Sequence, residues 1–158
     1  MFIKMNAWFY FICQYLAEII GKKDSANKYL IKASDLGHTG CQNEYGYRLL
    51  KGIGFEINYE KAFLYFKKSA EKGNMYAQAN LGSLFLEGNG VLKNNESAFF
   101  WYSKSSKQGH AESQYNIGYM YENGLGIKKD IEKALEFYKK SKGNGCELAN
   151  EALNEIRT

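Results

Sequence analysis

The chain repeats itself every 36 residues. Glutamine, glycine or alanine recurs at the same six positions of three successive copies, and the copies align without a gap. These positions are Gln42/Gln78/Gln114, Gly46/Gly82/Gly118, Gly52/Gly88/Gly124, Gly54/Gly90/Gly126, Ala62/Ala98/Ala134 and Gly73/Gly109/Gly145. A period of about 20–50 residues indicates a repeat architecture, in which each unit buries its apolar face against its neighbours.

The three full copies span residues 38–73, 74–109 and 110–145. The same period places Ala26 and Gly37 in register with Ala62 and Gly73, so residues 1–37 are expected to form a degenerate copy that caps the N-terminal end. Residues 146–158 are expected to form one C-terminal capping helix. Together these parts predict a single repeat domain over residues 1–158.

Each copy is predicted to form two helices, called helix A and helix B. Apolar residues follow helical spacing in helix A, as at Leu81, Leu84 and Phe85. Helix B is expected to begin behind a residue that caps its first turn and to end at the last glycine of the copy, in a left-handed conformation. The predicted caps are Asn58, Asn94 and Asp130.

One glycine lies in the middle of each helix A, where it costs about 1 kcal/mol relative to alanine. A close approach of helix B at Ala62, Ala98 and Ala134 would compensate for that loss. The remaining space is expected to be filled by Phe66, Tyr102 and Tyr138 of helix B. The paired glycines of GIG, GNG and GLG are expected to allow a compact loop between the helices.

The segment AQANLGSLFLEGNGVLKNNESAFFWYSKSSKQG resembles the Sel1-like repeat, a longer-looped relative of the tetratricopeptide repeat. The resemblance implies an all-α fold, a right-handed α-solenoid of antiparallel helix pairs. It also implies a non-catalytic module that binds another protein. Members of this family scaffold complexes, contact host proteins when made by bacterial pathogens, or serve as immunity proteins against secreted toxins.

Composition argues for a soluble globular protein that binds neither nucleic acid nor a metal. The net charge is only +4, and the lysines are spread along the chain instead of forming a basic stripe. The three cysteines, Cys13, Cys41 and Cys146, lack the close spacing of a zinc site, which favours the reducing cytoplasm. No cofactor is expected.

The apolar segment from Ala7 to Ile20 has two interpretations. Gln14 and Glu18 interrupt it, and it is shorter than the roughly 20 residues that span a bilayer. It is therefore predicted to be an amphipathic helix that packs on the next repeat, which makes a membrane partner unlikely. The alternative is a protein associated with a membrane through this helix.

Catalysis has little support in the residues. His38 and His110 occupy equivalent positions two copies apart and are interpreted as polar residues in turns. Cys41 has no evident base within its copy and is interpreted as a buried side chain. A secreted, cysteine-rich branch of the family has two cysteines in each repeat and β-lactam-hydrolysing members, but no full copy here has more than one cysteine.

The resemblance to tetratricopeptide repeats implies that helix A lines a concave binding face. Tyrosines grouped with polar residues make a plausible contact surface, because Tyr offers a large rigid area with a polar tip. The residues mapped to this face are Asn43, Tyr47, Lys51, Tyr76, Ser83, Glu87, Glu112, Tyr115, Tyr119 and Asn123.

The favoured function is therefore binding of a protein partner through helix A. An immunity protein that neutralises a toxin or secreted effector is the alternative, and a hydrolase of the cysteine-rich type is disfavoured. The sequence does not specify the oligomeric state.

Overall fold

The computed structural model describes residues 6–156, which form nine helices and no strand. The predicted all-α fold of paired helices is confirmed. The chain divides into two compact units, one up to Asn74 and one from Met75, and each is described by itself. That the whole chain forms a single domain stays a prediction.

The first unit contains four helices, in which each helix packs on the next: α1 (Ala7–Ile19), α2 (Lys23–Asp35), α3 (Thr39–Lys51) and α4 (Tyr59–Glu71). The second unit continues this order of contacts with α5 (Met75–Glu87), α6 (Asn95–Lys107), α7 (Ala111–Asn123), α8 (Ile131–Gly143) and α9 (Leu148–Glu155). Helix A corresponds to α3, α5 and α7, and helix B corresponds to α4, α6 and α8.

The predicted ends of helix B are confirmed. Asn58, Asn94 and Asp130 accept hydrogen bonds from the backbone N–H groups of Lys61, Ser97 and Lys133 at 2.8, 2.8 and 3.0 Å. The glycines that follow these helices have φ values of 93°, 91° and 92°, in the left-handed region that glycine adopts without a steric penalty.

The mid-helix glycines let helix B approach closely, as predicted. A Cβ atom at Gly46 would lie 2.9 Å from the Phe66 ring. The corresponding distances are 2.8 Å from Gly82 to the Tyr102 ring and 2.7 Å from Gly118 to the Tyr138 ring. The closest contact is therefore with the aromatic ring and not with the alanine side chains.

Buried glutamines join each copy to the one before it within a unit. Gln42 Nε2 donates to the carbonyl of Ser34 at 3.0 Å, and Gln114 Nε2 donates to the carbonyl of Ser106 at 3.3 Å. Both carbonyls lie in the last turn of a helix, where backbone oxygens lack partners within the helix. Gln42 and Gln114 thus each link a helix A to the end of the preceding helix within the same unit.

The N-terminal helix α1 packs on α2, as predicted, and is tied to α3 by an ion pair. Arg48 Nη2 lies 2.6 Å from Glu18 Oε1, and Arg48 Nε lies 2.6 Å from Glu44 Oε1. Burial alone would raise the pKa of Glu18, but hydrogen bonds from Gln14 and Arg48 outweigh burial and lower it. Within residues 6–156, no helix is both long and apolar enough to cross a bilayer.

His38 and His110 lie in turns, as predicted, and each caps the helix that follows. The Nδ1 atom of His38 accepts from the N–H of Cys41 at 3.1 Å, and that of His110 accepts from the N–H of Ser113 at 3.2 Å. An accepting Nδ1 carries no proton, so these bonds require neutral rings. Burial lowers the pKa of both imidazoles.

Replacing Gly82 with alanine should destabilise the protein by about 1–3 kcal/mol, because the new Cβ must displace the Tyr102 ring. Gly143→Ala is the matched control, since Gly143 is helical and its Cβ would meet nothing within 4 Å. That control should gain up to about 1 kcal/mol from helix propensity. Urea unfolding measures both changes, and a stabilising Gly82→Ala would show that the contact is loose.

Acid should weaken the His110 cap. The pKa of His110 is lowered from 6.5 in the folded state, so its contribution to stability is complete above that pH and is lost as pH falls through the folded pKa. His110→Asn should keep the cap without titrating and should remove about 1 kcal/mol of the acid sensitivity. Urea unfolding at about pH 7.5 and about pH 5 measures this, and equal acid losses in both proteins would contradict it.

Candidate protein-binding surface

The ten residues that the sequence assigns to a binding face lie on helix A in both units. In the first unit, Tyr47 and Lys51 are exposed on α3, and Asn43 is half-buried. The other seven lie on α5 and α7 of the second unit, which both pack on α6. We call the side of α5 and α7 that carries these seven residues the A face of the second unit.

Several of these residues are exposed. Tyr76 projects from α5 and lies edge-on to the His110 ring, with 5.4 Å between the centroids. Tyr119 is 42% exposed on α7, and its carbonyl accepts from Asn123 Nδ2 at 2.9 Å. Glu112 is exposed near the start of α7. The A face therefore offers aromatic area together with polar and acidic groups.

Two of the predicted residues support the face from below. The Ser83 hydroxyl lies 2.9 Å from the hydroxyl of Tyr102, a core residue of α6. Tyr115 is half-buried, with its ring centroid 5.5 Å from that of Tyr138, and packs against the core formed by α8 and α9. Truncating either residue would disturb the core as well as the surface.

Glu122 belongs to this face but is absent from the sequence-based set. Its Oε2 atom accepts from the Tyr138 hydroxyl at 2.6 Å. The sequence does contain a sign that such a partner is needed. The core aromatic residue is Phe66 in the first copy, but it is Tyr102 and Tyr138 in the next two. A buried tyrosine hydroxyl needs a hydrogen-bond partner, and helix A supplies it in both cases.

The carboxylates of the A face lie close to the buried tyrosines of helix B. Burial raises the pKa of Tyr102 to about 12, the hydrogen bond with Ser83 opposes that rise, and the charges of Glu87 and Glu112 add to it. Burial, followed by the hydrogen bond and charge of Glu122, raises the pKa of Tyr138. Within residues 6–156, none of these three carboxylates forms an ion pair, so the A face is acidic.

The remaining reactive side chain, Cys41, is poorly suited to nucleophilic chemistry. It is buried, as predicted, and its Sγ lies 3.8 Å from Gln14 Oε1. Burial raises the pKa of this thiol to about 12, and the charges of Glu44 and Glu18 act in the same direction. The thiol therefore stays protonated at neutral pH, whereas the thiolate is the nucleophile. Within the described chain, no group of three or more His, Cys, Asp or Glu side chains could hold a metal ion.

Helix B carries its lysines above aromatic rings. Lys68 Nζ lies 5.0 Å from the centroid of Tyr65, and Lys140 Nζ lies 5.2 Å from that of Phe137. The rings themselves pack between copies within a unit. Tyr65 donates to Asp35 Oδ1 at 2.5 Å, and Phe137 stacks on Tyr121.

The chain matches the family model of the Sel1 repeat over residues 21–38, 40–74, 76–110 and 111–146. Among solved structures, a Sel1 repeat protein from Oxalobacter formigenes is 36% identical, with a TM-score of 0.71, over 80% of this chain and 95% of that one. No curated protein is similar enough to count as a match.

Two further structures are similar. A protective antigen of uropathogenic Escherichia coli with an SLR fold is 29% identical, with a TM-score of 0.89 over 96% of this chain and 33% of the antigen. Cysteine-rich protein B of Helicobacter pylori is 26% identical, with a TM-score of 0.64 over 84% of this chain and 96% of that one. Since the family model covers most of the sequence and the fold agrees, the chain belongs to the Sel1-repeat family.

Proposed function

We propose that this chain is a non-catalytic module that binds another protein through its helix A surface, chiefly the A face of the second unit. The Sel1-repeat fold is typical of protein–protein interaction modules, and proteins built from it are generally non-catalytic scaffolds. The observation that carries the proposal is a group of three carboxylates, Glu87, Glu112 and Glu122, which form no ion pair within residues 6–156 and share the A face with the exposed Tyr76 and Tyr119.

The charge of this face indicates what its partner carries. The chain as a whole has a net charge of +4, yet the A face of the second unit presents carboxylates and tyrosines. Lysine and arginine satisfy both kinds of group, because they pair with carboxylates and pack on aromatic rings. The partner segment is therefore basic, and its cations lie against Tyr119 and Glu112.

An immunity protein is a specific form of the same activity. The acidic A face favours a toxin whose active site is basic, since covering such a cleft requires carboxylates. The partner in that case is the toxin itself, or another secreted effector.

The free cysteines bear on the compartment. Cys13, Cys41 and Cys146 are all free thiols, whereas disulfides persist in oxidising compartments. This supports a cytoplasmic location. The absence of cysteine pairs and the protonated Cys41 thiol also disfavour a hydrolase of the cysteine-rich type.

Affinity capture with the full chain identifies the partner, and calorimetry then measures its binding to variants of the A face. Tyr119→Ala should weaken binding by about tenfold or more, because exposed aromatic anchors carry much of an interface's energy. The double variant Glu87→Gln/Glu112→Gln should also weaken binding and should reduce its dependence on salt, since it removes charge without changing shape.

Lys67→Ala and Lys139→Ala are the matched controls, because both lysines are exposed on helix B. They should leave the affinity within about twofold. Loss of binding in the lysine variants, with full affinity in the A-face variants, would place the site on helix B. If Glu87→Gln/Glu112→Gln alone binds the partner as tightly as the unchanged protein does, the A face does not recognise the partner by its positive charge.

A further inference from the structure

Helix α1 carries its large apolar side chains on the side that faces solvent. Eight of them between Trp8 and Ile20 are exposed, and Trp8, Tyr15, Ile19 and Ile20 are exposed by 62%, 60%, 65% and 64%. Since α1 places these residues on one side over about 18 Å, they form one continuous stripe. We call it the α1 stripe.

The opposite side of α1, which packs on the rest of the first unit, is the more polar one. Gln14 and Ala17 are its buried residues. Gln14 Nε2 donates to Glu18 Oε1 at 3.0 Å, and Glu18 pairs with Arg48. The helix therefore packs on the next helix, as the sequence predicts. An amphipathic helix usually turns its apolar side to the core, but α1 turns that side to solvent.

Exposed apolar surface of this extent marks a site of interaction. Glu18 is the only charged residue within α1, and Arg48 neutralises it, so the stripe itself carries no free charge. Phe11 stacks on His38, with 4.6 Å between the ring centroids, whereas Trp8, Tyr15 and Ile19 stay at least 60% exposed. The occupant of the α1 stripe must therefore be apolar where it meets Trp8, Ile12 and Ile19.

The surroundings of the stripe are basic. Four lysines lie between Gly21 and Leu36, at positions 22, 23, 28 and 32, against two aspartates, of which Asp35 accepts from Tyr65. Lys22 borders a groove of ≈ 270 Å³ that Leu16 and Ile20 of the stripe also line. Lys32 Nζ lies 5.2 Å from the ring of Tyr10, a half-buried residue of α1 outside the stripe. Positive charge thus flanks the apolar side chains.

We propose that the α1 stripe docks on the surface of an anionic lipid membrane. A helix with a wide apolar side and neighbouring lysines lies in the interface, where the apolar residues enter the acyl boundary and the lysines meet anionic headgroups. Trp8 and Tyr15 are the residue types that favour this interface. At 13 residues, α1 is too short to span the bilayer and would lie along it.

A second copy of the chain fits the stripe less well. Two α1 helices packed face to face would bring the lysines of both copies to one interface, where the described residues offer few acidic partners. An anionic surface removes that repulsion and adds attraction. The charge pattern therefore favours lipid over a dimer.

Flotation of the full chain with lipid vesicles tests this inference. The protein should bind vesicles of phosphatidylcholine with about 30% phosphatidylglycerol, and should bind phosphatidylcholine alone more weakly. Ile12→Glu/Ile19→Glu should reduce binding by about tenfold or more while circular dichroism stays unchanged, because both side chains are exposed. Leu64→Glu/Phe100→Glu is the matched control, since these residues are also exposed but lie on α4 and α6, and it should bind normally.

A spectroscopic measurement locates the contact. In a Trp101→Phe background, Trp8 is the one remaining tryptophan, and its emission should shift to the blue when anionic vesicles are added. Vesicle binding that survives Ile12→Glu/Ile19→Glu would overturn the proposal. A chain that does not bind vesicles would also overturn it. If that chain is a dimer that these substitutions dissociate, the stripe binds a second copy. If it is a monomer, the stripe binds another protein.

Discussion

The contact between a mid-helix glycine and an aromatic ring sets the geometry of the helix pair in each of the three full copies. Because Gly82 and Gly118 have no side chain, the rings of Tyr102 and Tyr138 lie directly against the backbone of helix A. The tyrosine hydroxyls then reach across that helix to Ser83 and to Glu122. The same core contact that holds the pair together therefore delivers polar groups to the surface on which we place the partner.

Charge is divided between the surfaces of the repeat. Lysines of helix B lie over aromatic rings, as Lys68 lies over Tyr65 and Lys140 over Phe137. The A face of the second unit instead keeps carboxylates that no described cation neutralises. A chain with a positive net charge thus presents an acidic surface locally.

The repeated elements could be predicted from the sequence because they depend on local chemistry. The caps at Asn58, Asn94 and Asp130 and the left-handed glycines follow from which residues satisfy helix ends, and a 36-residue period identifies them without any tertiary information. The close contact at Gly82 could be inferred for a similar reason, since a mid-helix glycine needs compensation.

Features that depend on tertiary contacts could not be predicted in this way. Glu122 looks like an ordinary exposed residue until Tyr138 is seen to donate to it. Arg48 lies at the same repeat position as the buried Leu84 and Met120. That it holds α1 through an ion pair is visible only when Glu18 is placed beside it. The direction in which α1 turns its apolar side is equally hidden, because hydrophobic periodicity identifies an amphipathic helix but not the side that packs.

Amide NMR of the isotope-labelled chain, titrated with its captured partner, shows directly whether the partner binds the A face of the second unit. If the partner binds there, the largest chemical-shift changes should cluster on the exposed positions of α5 and α7, around Tyr76, Glu112 and Tyr119. Changes confined to the lysine-bearing surfaces of α6 and α8, with α5 and α7 unaffected, would contradict binding at the A face.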